Sequence, residues 1–146
     1  MRIMALDLGE KRTGIAISDA SGLLAHPLEV IPTHEVIGNA PSFKRLLDNY
    51  DVELLVVGLP VSLDGREHSQ AARIRNMATQ LETLYALPIV YADERLSSKE
   101  AKQVLRQLGY NEKNMRGKTD KIAACIMLQA WLENRPDCEP STKRDR

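Results

Sequence analysis

Cysteine is nearly missing from this 146-residue sequence, which has only Cys125 and Cys138. There is no CxxC pair and no disulfide framework, and a reducing cytoplasm fits that usage. Net charge is missing too: 20 Lys and Arg balance 20 Asp and Glu. Wholesale electrostatic binding of nucleic acid is therefore unsupported, and any such contact has to rest on a local basic patch. No apolar run is long enough to cross a membrane. The N-terminus enters a strand directly, so no signal peptide is expected. The three histidines, His26, His34 and His68, are scattered without ligand spacing and read as structural or exposed. Aromatic residues make up 4% of the chain, and two of them, Tyr85 and Trp131, sit at core-like helical spacing rather than in a base-stacking row.

What is present is ordinary globular material, 43% hydrophobic and 27% charged, enough for one domain with a real core. Ile3 to Leu8 is a compact apolar run that predicts a buried strand. A turn at Glu10 to Arg12 and a second run from Thr13 to Ser18 make a hairpin. Leu24 to Ile31 predicts a third strand, in which Pro27 signals an edge or a bulge. The pattern then changes to strand–helix alternation. Helical spacing covers Pro41 to Tyr50 and Ser69 to Tyr85, and short strands are predicted at Glu53 to Gly58 and Pro88 to Asp93. Leu59 to His68 reads as a loop with an Asp64-Gly65 turn. Ser97 to Glu100 fits a capping box opening a helix to Leu108, stopped by Gly109. A basic loop from Asn111 to Lys118 leads to a last helix, from Thr119 to about Glu133. No internal repeat is visible. The order βββαβαβαα predicts an α/β fold: a mixed five-stranded sheet with helices on both faces. Residues 1–134 form the expected domain, and 135–146 a polar tail expected to be disordered.

Three carboxylates carry the chemistry. Asp7 lies inside an apolar strand, where a charge is costly unless a metal, a cation or backbone donors compensate it. Glu94 follows the strand Ile89-Val90-Tyr91, and Asp120 opens the last helix. Asp7 and Glu94 both fall toward the C-terminal ends of their strands, the edge that holds ligands in open α/β sheets. With the last helix packed across those strands, the three converge. Oxygen ligands of this kind favour Mg²⁺ or Mn²⁺, one ion or two. Each residue also has a plain alternative. Asp7 can accept backbone N–H bonds in the next turn, and Glu94 can pair with Arg12 or Arg95. Asp120 suits a first helical turn on dipole grounds alone. Lys113, Arg116 and Lys118 in such a stretch most often mean only a solvated loop.

Taken together, the motifs resemble one family. Asp7-x-Gly9-x-x-Arg12-x-Gly14-x-Ala16 is followed by Val57-Gly58-Leu59-Pro60 with Asp64-Gly65. Asp93-Glu94-Arg95-Leu96-Ser97 and Lys118-x-Asp120-x-x-Ala123-Ala124 come next. The series is similar to the YqgF or RuvX family, Holliday-junction-resolvase-like proteins of the ribonuclease H-like superfamily, from Met1 to about Leu132. The resemblance implies a ribonuclease H-like fold and a metal-dependent nuclease processing the 5′ end of 16S rRNA precursor, in the cytoplasm with ribosome-assembly partners. It places catalytic and metal-binding roles on Asp7, Glu94 and Asp120, with Glu94 preferred to Asp93; Arg12, Arg95, Arg116 and Lys118 are the expected phosphate contacts. Gly9 and Gly14 are expected to permit the turn that holds Arg12. The alternatives are a resolvase of branched DNA, which would need a dimer, a non-catalytic RNA-binding assembly factor, and an actin-like ATPase domain. The last is disfavoured because those proteins enclose nucleotide between two such domains.

Overall fold

The computed structural model describes residues 2–60, 69–93, 106–107, 109 and 119–135, with the backbone alone at 119–121. β1 (Arg2–Leu8), β2 (Arg12–Ser18) and β3 (Ala25–Pro32) form the expected meander. Then come α1 (Thr33–Ile37), α2 (Pro41–Asn49), β4 (Val52–Leu59), α3 (Ser69–Tyr85), β5 (Ile89–Asp93) and α4 (Thr119–Asn134). The sheet runs β3-β2-β1-β4-β5, with β2 antiparallel to β1 and β3, and β4 parallel to β1 and β5. This is the predicted mixed five-stranded sheet.

β1 is central, so both of its faces are buried, and its residues divide between two apolar layers. Met4, Leu6 and Leu8 face a layer built with Val36 of α1, Phe43, Leu46 and Leu47 of α2, and Ile74, Met77 and Leu81 of α3. Ile3 and Ala5 face the other layer, with Ala16, Ala25, Val56, Ala92 and, from α4, Ala124, Cys125 and Leu128. Helices therefore cover both faces, as expected. The two layers differ in bulk: the α4 side is rich in alanine, which lets a helix lie close to the strands.

Pro27 is both edge and bulge. β3 borders the sheet, and its pairing with β2 slips at Leu28, so that Ile15 faces Glu29 and Ala16 faces Pro27. One element differs from expectation: α1, five residues long, follows β3 directly. The pattern hid it because one helical turn has no period to read. Tyr85 is core material as expected, edge-on to Phe43 at 5.1 Å and donating its hydroxyl to the Val36 carbonyl at 2.7 Å. Trp131 packs half-buried against the α4-side layer.

The predicted helix from Ser97 to Leu108 lies outside the described residues except for helical Arg106 and Gln107. Gly109, the predicted stop, has a φ of 98° and donates its N–H to the Arg106 carbonyl at 3.0 Å. The basic loop from Asn111 to Lys118, the loop after Pro60 and the tail beyond Arg135 also lie outside the described residues. None of the described helices is long and apolar enough to cross a membrane.

Candidate active site

Strand alternation decides which face each carboxylate uses. Asp7 shares the α4 face with Ile3 and Ala5, and is half-buried there. On β5, Ala92 and Val90 belong to that same layer, whereas Ile89 packs into the opposite one. Asp93 therefore falls on the α3 face, as does Tyr91, whose ring carries the Arg75 guanidinium at 4.6 Å. Asp7 and Asp93 point away from each other across the sheet.

The neighbours of Asp7 are what set it apart. Its partner on β2 is Gly14. On the other side, the β1–β4 register pairs Ala5 with Val56 and Leu6 with Val57, and one further step brings Asp7 beside Gly58. Gly58 in turn pairs with Ala92. Across the α4 face at this level, the carboxylate stands between two residues without side chains, and the next is an alanine. Gly14 thus corrects the expectation that it serves the turn: it is a strand residue facing Asp7. Gly9 does serve the turn. A Cβ there would sit 2.6 Å from the Arg12 carbonyl oxygen, which accepts the Gly9 N–H at 3.0 Å.

α4 is pinned at its far end. The Gln129 side chain is buried, its Oε1 accepting the Ala25 N–H at 2.8 Å and its Nε2 donating to the Leu23 carbonyl at 3.2 Å. Arg135 donates to the Gly22 carbonyl at 3.2 Å. The C-terminal end of α4 is thereby fixed to the β2–β3 loop. Ala25 pairs with Ser18, whose hydroxyl accepts the Ile3 N–H at 2.9 Å, so Gln129 lies level with Ile3. From Ile3, Asp7 is about 13 Å further along β1 at 3.3 Å per residue. From Gln129 back to position 120 is about 13.5 Å of helix at 1.5 Å per residue. The first turn of α4 therefore reaches the level of Asp7.

Of the other expected site residues, Arg12 is exposed at the start of β2. Glu94, Arg95, Arg116 and Lys118 lie outside the described residues, as does the Asp120 side chain. Among the described residues no three His, Cys, Asp or Glu side chains form a group able to hold a metal. The sequence did not single out an open cavity of about 580 Å³ on the same sheet edge, lined by Gly9, Glu10, Ser69, Gln70 and Arg73. Its residues look like an ordinary solvated helix start, and only the fold sets them against the β1–β2 turn.

Among the described residues, three groups far from the edge have displaced pKa values, and for one of them, Tyr85, burial raises the hydroxyl above its ordinary value. Burial pushes the Cys125 thiol up to about 12, which rules it out as a nucleophile at neutral pH. For Asp19 partial burial pulls upward, but is outweighed by the Ser21 hydroxyl and the Leu23, Leu24 and Gly22 N–H groups, which hold it below the usual carboxylate value.

The family model described as RuvX, Holliday junction resolvase, matches residues 1–134. A Gloeothece citriformis protein named "Putative pre-16S rRNA nuclease" is 41% identical over 132 residues, covering 90% of this chain and 87% of its own. A Syntrophus aciditrophicus protein of the same name is 37% identical over 133 residues, covering 91% and 89%. Among solved structures, Thermus thermophilus RuvC in complex with a Holliday junction substrate superposes with a TM-score of 0.56 at 15% identity, covering 91% of this chain and 95% of that one. The fowlpox virus Holliday junction resolvase gives 0.52 at 14% identity, covering 91% and 98%. The superpositions show a shared ribonuclease H-like fold, and with the family match spanning nearly the whole sequence, the chain belongs to the RuvX family.

Proposed function

We propose that this protein is a nuclease that hydrolyses phosphodiester bonds in the precursor of 16S rRNA, with its site on the α4 face at the C-terminal edge of the sheet. The names of its relatives support the substrate. The observation that carries the site is the glycine-flanked Asp7, with the first turn of α4 brought to its level.

Asp7, Glu94 and Asp120 are the proposed catalytic and metal-binding residues. Alternation on β5 supports Glu94 over Asp93: Val90 and Ala92 share the Asp7 face whereas Asp93 does not, and period-two spacing in the sequence would count Glu94 with Val90 and Ala92. Helical spacing supports Asp120, which precedes Ala124 and Leu128 by four and eight residues on the stripe buried against the sheet. An all-carboxylate donor set suits Mg²⁺ or Mn²⁺. The fit is also steric, because Gly14 and Gly58 put no side chain beside the Asp7 carboxylate. A divalent ion held there supplies Lewis acidity toward a phosphodiester oxygen.

The chain's own groups do the rest. Asp7, Glu94 and Asp120 would hold the ion at the sheet edge, and its charge would offset their repulsion of the phosphate. Arg12, Arg95, Arg116 and Lys118 bind flanking phosphates, the arginines with two parallel N–H donors each. On the other side of the β1–β2 turn, Arg73 lines the edge cavity and offers a further phosphate contact. Branched DNA is the second reading, supported by the resolvase description of the family. The test incubates purified protein with Mg²⁺ or Mn²⁺ and a precursor-like RNA, single-stranded DNA or a four-way junction, with Asp7→Asn as control. Metal-dependent cleavage, greatest on the RNA and lost in Asp7→Asn, is expected. Cleavage of none of the three would overturn the nuclease reading, and preference for the junction would shift it to resolution.

A further inference from the structure

We infer that a buried chain of hydroxyls, running from Thr13 through Thr33 to the Gly9 carbonyl, positions the β1–β2 turn for the reaction proposed above, on which this inference rests. The Thr33 hydroxyl donates to the Gly9 carbonyl at 2.8 Å and lies 2.9 Å from the Thr13 hydroxyl. A hydroxyl has one proton to give. That of Thr33 goes to Gly9, so Thr13 is the donor in the threonine pair. The chain therefore has a direction, and it ends on the turn.

Both threonines are buried, at 0% and 3% exposure, on the side of the sheet that carries the α1–α3 apolar layer. Hydroxyls in such a place cost stability unless they are bonded. A pair of valines would fill the same volume without that cost. Among the described residues, the backbone group that the pair satisfies is the Gly9 carbonyl. The Thr33 N–H adds a bond to the Lys11 carbonyl at 2.9 Å, and the Gly9 N–H closes the turn on the Arg12 carbonyl at 3.0 Å. The turn is thus tied at Gly9 and Lys11 to the point where β3 becomes α1. It leaves β1 two residues after Asp7 and ends on Arg12, so its position sets both the carboxylate and the proposed phosphate contact.

The threonines cannot themselves touch the substrate. Thr13 pairs with Leu8 and lies with it on the α1–α3 face, opposite to Asp7. They are positioning residues. Thr33 matters more than Thr13, because removing Thr33 breaks both links and removing Thr13 only one.

The experiment compares the full-length wild type with Thr33→Val, Thr13→Val and Thr33→Ser. It measures kcat and KM for metal-dependent cleavage of the precursor-like RNA, and amide exchange at Gly9. Asp19→Ala, on the β2–β3 loop at the opposite end of the sheet, serves as a destabilised control. Thr33→Val is expected to lower kcat by about 10²-fold, the scale of a small misplacement of reacting groups. KM should stay close to the wild-type value and Gly9 exchange should speed up. Thr13→Val should fall between, Thr33→Ser should recover, and Asp19→Ala should keep its kcat. Unchanged Gly9 exchange in Thr33→Val overturns the inference whether or not the wild type cuts RNA. So does a serine variant as impaired as the valine one, or an equal loss of kcat in Asp19→Ala. A wild type that cuts nothing overturns the nuclease reading instead, and Gly9 exchange then decides the hydroxyl chain separately.

Discussion

Replacing Gln129 by methionine deletes the polar clamp of α4 while keeping an unbranched side chain of similar length. Two bonds go. The Leu23 carbonyl belongs to an exposed loop residue, and water replaces its donor at little cost. The Ala25 N–H is different, because Ala25 is fully buried and paired to Gln129 at 2.8 Å. Stranding a buried donor costs about 1–3 kcal/mol. The transfer of a thioether chain into an apolar layer returns part of that, so a net loss of about 2 kcal/mol is expected. For a domain of this size that lowers Tm by roughly 6 °C. Urea unfolding followed by far-UV circular dichroism reads the loss, and amide exchange locates it: protection should fall further at Ala25 than at Leu6 and Val56, which lose only the global share. An unfolding free energy within 0.5 kcal/mol of wild type, about the scatter of neutral surface changes, would refute the claim that Gln129 pins the helix. So would full protection of Ala25.

Three other outcomes follow from the same structure. Asp19 has its pKa held below the ordinary value, so it stabilises the fold above about pH 4, and that contribution fades as pH falls through the lowered value. Asp19→Ala should therefore cost about 1 kcal/mol in urea unfolding at pH 7 and progressively less as the pH is taken below 4. The Cys125 thiol, pushed to about 12 by burial, should resist a thiol reagent at pH 8 in the native protein and react at once in urea, as counted by mass spectrometry. Arg73→Gln should weaken RNA binding in the cleavage-deficient Asp7→Asn background and reduce the slope of log affinity against log salt by about one. An unchanged slope removes Arg73 from the strand path.

Much of the fold was legible because its elements are long and locally consistent. The apolar run of β1, the alternation of β2, the stripes of α2 and α3 and the αL stop at Gly109 each declare themselves within a few residues. The five-residue α1 does not, having too few turns for a period. The site was legible as three carboxylates but not as a place. That Gly14 and Gly58 flank Asp7 follows from strand register, and register joins residues far apart in the chain. The same holds for the Thr13–Thr33 pair, twenty positions apart. Gln129 did leave a signal, a lone amide in the buried run Met127-Leu128-Gln129-Ala130. Only its partners on the β2–β3 side, more than a hundred residues earlier, give it meaning.

The central claim is that Asp7, flanked by glycines and faced by the first turn of α4, anchors a divalent metal site. Paramagnetic broadening by Mn²⁺ in amide NMR spectra tests it most directly, because it needs no substrate and no activity. Broadening should begin at Gly14, Gly58 and Asp120, leave Leu23 and Ala25 at the other end of α4 sharp, and disappear in Asp7→Asn. Broadening that centres elsewhere, or persists unchanged in Asp7→Asn, would contradict the account.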